Sequence, residues 1–255
     1  MYKLGLKLWS INTDFYYEEA QKLYAQGIFD YIELYVVPNT LNTLQKWKEL
    51  NIPFIIHAPH HAHKFNLAKT ERKEFNLKIY TEVKQFADEL KAQYIVFHGG
   101  VDGSIDETAR QLASFNEPRA LIENKPCITL SDNKKYCRGY CIDEIKKVIS
   151  VANCGFCLDI GHAICAANSQ KLDIYEYCKN FLKLEPNMYH LTDIKDITSP
   201  YDTHLHIGTG ELDLKRIFEM IPDEKSITVE TIKNSKENLN DFVNDAKMIK
   251  FIMEE

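Results

Sequence analysis

The chain has no run of about eighteen apolar residues, which excludes an apolar membrane-spanning helix. Its first residues, Met1-Tyr2-Lys3-Leu4-Gly5-Leu6-Lys7, lack the apolar core of a secretory signal and read directly into a strand, so a cytoplasmic protein with no membrane partner is expected. Glycine is sparse, 10 of 255 residues, and no glycine-rich phosphate loop follows an early strand, which argues against an open doubly wound sheet. Basic residues are not in excess either. The 31 Lys and Arg against 37 Asp and Glu leave a net charge of -6, which disfavours a broad nucleic-acid surface. The seven cysteines are odd in number and irregular in spacing, so reduced thiols are expected rather than a disulfide framework. Cys137-x-x-x-Cys141 followed by Cys154-x-x-Cys157 admits a structural zinc site. However, Cys157 falls in an apolar strand-like run and Cys141 opens a helix-like one, which favours buried free thiols.

What the chain does have is alternation. No linker, low-complexity tract or composition break divides it, and short β-rich runs alternate with longer helical ones throughout, eight of each. The expected strands are Leu4–Trp9, Tyr31–Tyr35, Pro53–His57, Tyr94–His98, Ala120–Glu123, Gly155–Ile160, Met188–Leu191 and Ser226–Glu230. Amphipathic segments between them include Asp14–Gln26, Asn66–Lys91, Ile142–Val151, Leu172–Leu184, Leu212–Met220 and Asn238–Met253, with a shorter fourth helix over Asp106–Phe115. Eight βα units closing on themselves make a single (β/α)8 TIM barrel of the α/β class over residues 1–255.

The strands end alike. Apolar runs lead into His57, His98, Glu123, Asp159 and Glu230, and His190 stands beside Leu191-Thr192-Asp193. A single His or Glu ending a strand is ordinarily a satisfied polar residue. In a TIM barrel, however, the C-terminal strand ends share one mouth, so these six groups would meet in a small volume. Carboxylates crowded there repel one another unless a cation neutralises them, and neutral imidazoles complete a ligand set. Asp159-Ile160-Gly161-His162 adds a ligand just beyond a strand end, and Asp202-Thr203-His204 lies in the loop after His190, followed by glycines suited to a turn. Imidazole and carboxylate without thiolate suit Zn²⁺ or Mn²⁺ better than Ca²⁺ or Mg²⁺.

The series His57-Ala58-Pro59, His98-Gly99-Gly100, Glu123-Asn124, Asp159-x-Gly161-His162, His190, Asp202-x-His204-x-x-x-Gly208-x-Gly210 and Glu230 resembles the xylose isomerase-like TIM-barrel superfamily over nearly the whole chain. That superfamily joins sugar phosphate isomerases and epimerases with the endonuclease IV type of apurinic endonuclease (AP endonuclease family 2). The endonuclease pattern implies one metal held by His57, His98 and Glu123. Glu123 would bridge to a second ion with Asp159, His190 and Glu230, and a third would take His162, Asp202 and His204. The isomerase pattern implies one metal on Glu123, Asp159, His190 and Glu230, with His162 touching substrate. One to three ions are thus expected.

Three functions follow. Isomerisation or epimerisation of a small sugar or sugar phosphate would use Glu123 and Glu230 as acid/base pair around a metal-stabilised enediolate. Phosphoester hydrolysis would use the complete nine-residue set. A non-catalytic metal- or ligand-binding barrel ranks last, because every catalytic position is filled. The acidic balance, the loop Val36–Leu41 without basic and aromatic residues, and Glu123-Asn124-Lys125-Pro126 favour a small-molecule substrate and isomerase chemistry over nucleic acid. The histidine-rich loop His60–Phe65 is a candidate phosphate contact, with a solvated surface loop as the plainer reading. Trp9 and Glu33 are candidate cavity-lining residues, with core packing or a buried ion pair as alternatives, and Lys195 is a candidate phosphate ligand against a surface lysine. The sequence leaves the oligomeric state open.

Overall fold

The computed structural model describes residues 2–130 and 134–254; the end residues of the expected 1–255 domain, Met1 among them, lie outside the described residues. Eight parallel strands, β1 (Lys3–Trp9), β2 (Tyr31–Tyr35), β3 (Phe54–His57), β4 (Ile95–His98), β5 (Ala120–Glu123), β6 (Gly155–Asp159), β7 (Met188–Leu191) and β8 (Ser226–Val229), close in sequence order, with β8 pairing back onto β1. The helices are α1 (Tyr17–Ala25), α2 (Leu44–Glu49), α3 (Lys73–Glu89), α4 (Ile105–Phe115), α5 (Ile142–Ala152), α6 (Ile160–Gln170), α7 (Ile174–Leu182), α8 (Leu214–Met220) and α9 (Asn240–Glu254). The barrel is therefore the expected one, with nine α-helices rather than eight among the described residues.

The extra helix is α6. Residues Ile160 through Ala167 are all buried, so α6 shows no amphipathic period to a reader of the sequence. Ile160 belongs to α6 and not to the strand before it, because the Asp159 side chain accepts a hydrogen bond from the His162 N–H and caps the helix. Other ends shift for similar reasons. Asp173 and Asp213 cap α7 and α8, which places Leu172 and Leu212 outside those helices. The expected helix from Asn66 begins at Lys73, because the Asn66 side chain ties its loop to the Val101 backbone through bonds of 2.9 and 3.0 Å. The expected helix from Asp14 is split into a 3₁₀ turn over Ser10–Asp14 and α1.

Strand alternation builds the barrel interior in layers. Tyr31, Ile55, Val96, Leu121, Cys157 and Met188 form a buried cluster separate from the main core. Two residues further along the same strands stand Glu33, His57, His98, Glu123, Asp159 and His190, so the polar tier sits directly above an apolar plug. Gly5 makes the plug possible: a Cβ there would lie 2.4 Å from the Tyr31 ring, whose hydroxyl reaches across to Thr228 at 2.8 Å. The alternate residues, such as Leu6, Leu34, Ile56, Phe97 and Leu158, face the helices and make the larger core. Above β5 the chain turns back as an antiparallel ribbon, pairing Ile128 with Tyr136 and Val101 with Cys137 beside the barrel mouth.

Candidate metal centre

The six strand-end residues and the two loop motifs converge. Glu123 Oε2 lies 3.1 Å from His57 Nε2 and 2.9 Å from His98 Nε2, and its Oε1 lies 2.9 Å from His162 Nδ1. His190 Nδ1 faces Glu230 Oε1 at 3.0 Å, Glu123 Oε2 at 3.7 Å and Asp159 Oδ2 at 3.9 Å. Asp202 Oδ2 stands 2.7 Å from His204 Nε2 and 3.2 Å from His162 Nε2. Potential donor atoms gather into groups within 4.8 Å of one another: His57, His98 and Glu123; Glu123, Asp159 and His190; His162, Asp202 and His204; and Glu33, His190 and Glu230. The nine residues singled out from the sequence are all brought together.

The imidazoles are oriented as ligands. A ring nitrogen that donates to an oxygen leaves its partner nitrogen with a lone pair for a cation, and such outer contacts set the tautomer. His57 Nδ1 is 2.7 Å from the Ala58 carbonyl, His162 Nδ1 is 3.0 Å from the Asn124 carbonyl, and His204 Nδ1 is 2.9 Å from the Glu230 carbonyl. In each, Nε2 is left facing a carboxylate of the cluster. His190 is turned the other way. Its Nε2 sits 2.9 Å from Glu33 Oε2, and its buried Nδ1 makes no hydrogen bond. A buried ring nitrogen 3.0 to 3.9 Å from three carboxylate oxygens needs a proton or a cation between them, and this donor set fits a divalent metal.

Backbone features hold the ligands in place. Asn124 bridges β5 and β6 through two 2.8 Å bonds to the Asp159 backbone, and Asp159, capping α6 with Oδ1, keeps Oδ2 toward His190. The buried Asp193 accepts backbone N–H groups from Ile194, Gly208, Gly210 and Leu212, which pins the loop carrying Asp202 and His204. Gly208 takes a φ of +79°, the turn its sequence position suggested.

Two lysines absent from the sequence-based site complete it. Lys7 Nζ lies 2.5 Å from both Glu33 Oε1 and Glu230 Oε1. Lys125 Nζ lies 3.2 Å from Glu123 Oε1, 3.1 Å from His162 Nε2 and 3.5 Å from His98 Nε2. Lys7 was discoverable: a lysine inside Leu6-Lys7-Leu8, on a strand with a buried outer face, can only point into the barrel. Burial opposes ionisation of Glu33, but His190 and Lys7 overcome it and bring that carboxyl down to about 2. Burial raises Asp159; although His162 counters it, the charges of Glu123, Asp202 and Glu230 help carry the group up to about 6. Burial opposes protonation of His162, but Asp159, Asp202 and Glu123 outweigh it and bring that imidazole up to about 10, so without a metal it joins Lys7 and Lys125 in offsetting the carboxylates. Burial also drives His57 and His98 toward the neutral form that can coordinate a metal.

A cavity of about 600 Å³ opens over the cluster, lined by Lys7, Trp9, Tyr35, His57, His98, Lys125, His162, Asp202, His204 and Glu230, with Pro126, Ile128 and Leu130 of the ribbon on one wall. Trp9 lines it as expected, its ring 5.1 Å from that of Tyr35. Glu33 does not line it: fully buried beneath, it is the ion-pair partner of Lys7 and His190. Lys195 is exposed beyond the rim and does not line the cavity, so it is not placed to bind a phosphate there. His60 and His61 of the histidine-rich loop do line it, and the His60 ring stacks on His98 at 5.7 Å. The seven thiols are free, and none of the potential metal groups among the described residues contains cysteine. No helix among the described residues is long and apolar enough to cross a membrane.

Comparisons with known proteins bear on this centre. The probable endonuclease 4 of Aquifex aeolicus (strain VF5) is 29% identical over 222 residues, covering 79% of this chain and 77% of that protein. Among solved structures, a D-tagatose 3-epimerase-like protein superposes with a TM-score of 0.76 at 20% identity, covering 99% of this chain and 97% of that one. Endonuclease IV from Thermus thermophilus superposes with a TM-score of 0.71 at 19% identity, covering 99% of both chains. At such identities the structural matches speak for the fold. The model of the xylose isomerase-like TIM barrel matches residues 25–251, and the chain belongs to that family.

Proposed function

We propose that this protein is a divalent-metal-dependent hydrolase acting on the phosphate ester of a small sugar. The observation that carries this reading is the third ligand group, His162, Asp202 and His204. A one-ion isomerase needs only Glu123, Asp159, His190 and Glu230. Here His204 is nevertheless oriented by the Glu230 carbonyl and Asp202 is buried against two imidazoles. This favours hydrolysis over the isomerisation that the sequence by itself favours. Zn²⁺ or Mn²⁺ suits the donors, and such ions, when bound, would supply Lewis acidity for the phosphoryl oxygens and acidify water near neutral pH.

The chain's own groups divide the remaining work. Glu123 joins two ligand groups, and the Glu33–His190 hydrogen bond aims His190 Nδ1 inward. Lys7 and Lys125 bring positive charge to the cavity wall, where an anionic ester would lie. The cavity volume, and the ribbon wall of Pro126, Ile128 and Leu130 that narrows the approach of a long duplex, favour a small ester. Isomerisation or epimerisation is the second reading, favoured by the complete quartet, with Glu123 and Glu230 as the proton-transferring pair.

The test offers sugar phosphates and an abasic duplex to protein loaded with Zn²⁺ or Mn²⁺. Phosphate release that chelation and His204→Ala both abolish supports the proposal. Sugar interconversion that survives in His204→Ala without phosphate release overturns it in favour of the second reading. Cleavage of the abasic strand alone would make nucleic acid the substrate.

A further inference from the structure

The lysines of the cavity wall are not alike. Lys7 and Lys125 are held in ion pairs with Glu33, Glu230 and Glu123. Lys233, on the loop from β8 to α9, lines the same cavity with no carboxylate partner among the described residues. Its ammonium donates to the Thr231 carbonyl at 2.9 Å and makes no other hydrogen bond to a described residue. The acids that act on it are already engaged. Asp245 faces the His206 ring and accepts from the Ile207 N–H and the Thr231 hydroxyl, and Asp241 accepts from the Asn234 N–H. Burial carries the Lys233 pKa down to about 8, and the charges of Asp245 and Glu230 do not make up the loss. An ammonium withdrawn from water without a counter-ion is costly until a ligand supplies the negative charge.

The loop that carries Lys233 is fixed. Tyr16 donates its hydroxyl to the Ser235 carbonyl at 2.5 Å, Asp241 holds the Asn234 N–H at 3.0 Å, and Glu19 holds the Leu239 N–H at 2.7 Å. These bonds tie the loop to the segment after β1, to α9 and to α1. On that segment Asn12 accepts the Trp9 N–H through Oδ1 at 2.7 Å, which leaves its amide NH₂ group as a second donor on the cavity wall. Trp9 is 43% exposed and Ile232 52%, apolar faces on which the carbon skeleton of a ligand can lie. β1 and β8 are neighbours in the barrel, and β1 gives none of the metal-ligand groups a member. The mouth therefore has a donor end at β8 and β1, set apart from the metal centre, in the region of the last strands where TIM barrels commonly receive anions.

We propose that the sugar ester carries a second anionic group, carboxylate or phosphate, and that Lys233, assisted by Asn12, binds it while the scissile phosphate lies on the metal centre. Lys233 is then a specificity-determining residue. It selects doubly anionic esters over simple sugar monophosphates and takes no part in breaking the bond. The span from the metal centre to the Lys233 ammonium sets the length of substrate that satisfies both ends. This rests on the hydrolase reading above, and it deepens that reading by naming the class of ester.

The test reads binding and needs no turnover. Zn²⁺-loaded protein is titrated calorimetrically with alkylphosphonates, with α,ω-alkane bisphosphonates of increasing chain length, and with the matching ω-phosphonocarboxylates, none of which can be hydrolysed. Metal analysis after each titration checks that the probe has not stripped the ion. In the wild type one chain length should bind roughly tenfold to a hundredfold more tightly than the alkylphosphonate of that length, the gain of one charge-assisted pair made within a single ligand. The second head group that gains more is the anion the site takes. Lys233→Met should lose the gain and the length optimum together, whereas Lys233→Arg, which keeps the charge, should retain most of both. No gain, a gain without a length optimum, or a gain that persists in folded Lys233→Met would each overturn the proposal and leave the hydrolase reading standing. Failure of every phosphonate to bind the metal-loaded protein would overturn that reading, and the second anion site with it.

Discussion

Replacing Glu123 by Gln should weaken two ions at once. The substitution keeps the side chain's shape and removes one negative charge from a group that touches His57, His98, His162 and Lys125 between 2.9 and 3.2 Å. At an effective dielectric of 20, unit charges 4 Å apart attract by about 4 kcal/mol, and a divalent ion doubles that. Relief of carboxylate crowding around Asp159 and the dipole of the new amide return part of it, leaving a net loss on the order of 3–5 kcal/mol, or roughly 10²- to 10⁴-fold in affinity. The loss should appear at both groups that contain Glu123 and spare the one built from His162, Asp202 and His204. Competition against a coloured chelator, with metal analysis of the dialysed protein, reads both the number and the affinity of the ions. A thermal melt of the metal-free variant separates ligand loss from unfolding. Unchanged ion number and affinity in folded Glu123→Gln would refute the assignment, and loss of a single ion would refute the bridge.

Glu33→Gln should weaken metal binding by about 10- to 100-fold, since Glu33 aims His190 through a 2.9 Å contact and neutralises the Lys7 ammonium beside the cluster; chelator competition measures it. Gly99→Ala should lower both metal affinity and melting temperature, because the added Cβ would stand 2.2 Å from the Arg138 carbonyl and displace either the ribbon or the adjacent His98; a variant indistinguishable from wild type in both would contradict the close approach. Glu117 is buried but held below the usual carboxylate range, because bonds from Arg119 and Tyr80 outweigh the burial that would raise it. Its contribution is therefore present above the unfolded carboxyl pKa of about 4.3 and lost as pH falls through the lowered folded value, so Glu117→Gln should cost roughly 1–3 kcal/mol at pH 7 and progressively less in acid. Urea unfolding at a series of pH values tests that, and a cost independent of pH would rule out the ionic origin.

The barrel was legible because its rule is local. A period of two with turn signals between strands marks each βα unit, and the residue two positions beyond each inward apolar residue, as Glu123 beyond Leu121 or His190 beyond Met188, lands at the mouth. Strand direction alone therefore placed His57, His98, Glu123, Asp159 and His190 in one tier, and the residue types pointed to a metal centre. Helix α6 was hidden because a segment buried on all sides carries no periodic mark. The pairing of ligands lies beyond strand periodicity. That Asp202 and His204 fold back to His162, that Glu33 turns away from the cavity to hold Lys7 and His190, and that Lys125 enters the cluster while Lys195 stays outside depend on loop paths fixed by contacts such as those of Asp193 and Asn124. A lysine in sequence is only a charge on a flexible stem; whether it meets water or five carboxylates is settled by which backbone encloses it, and that is a property of the closed barrel alone.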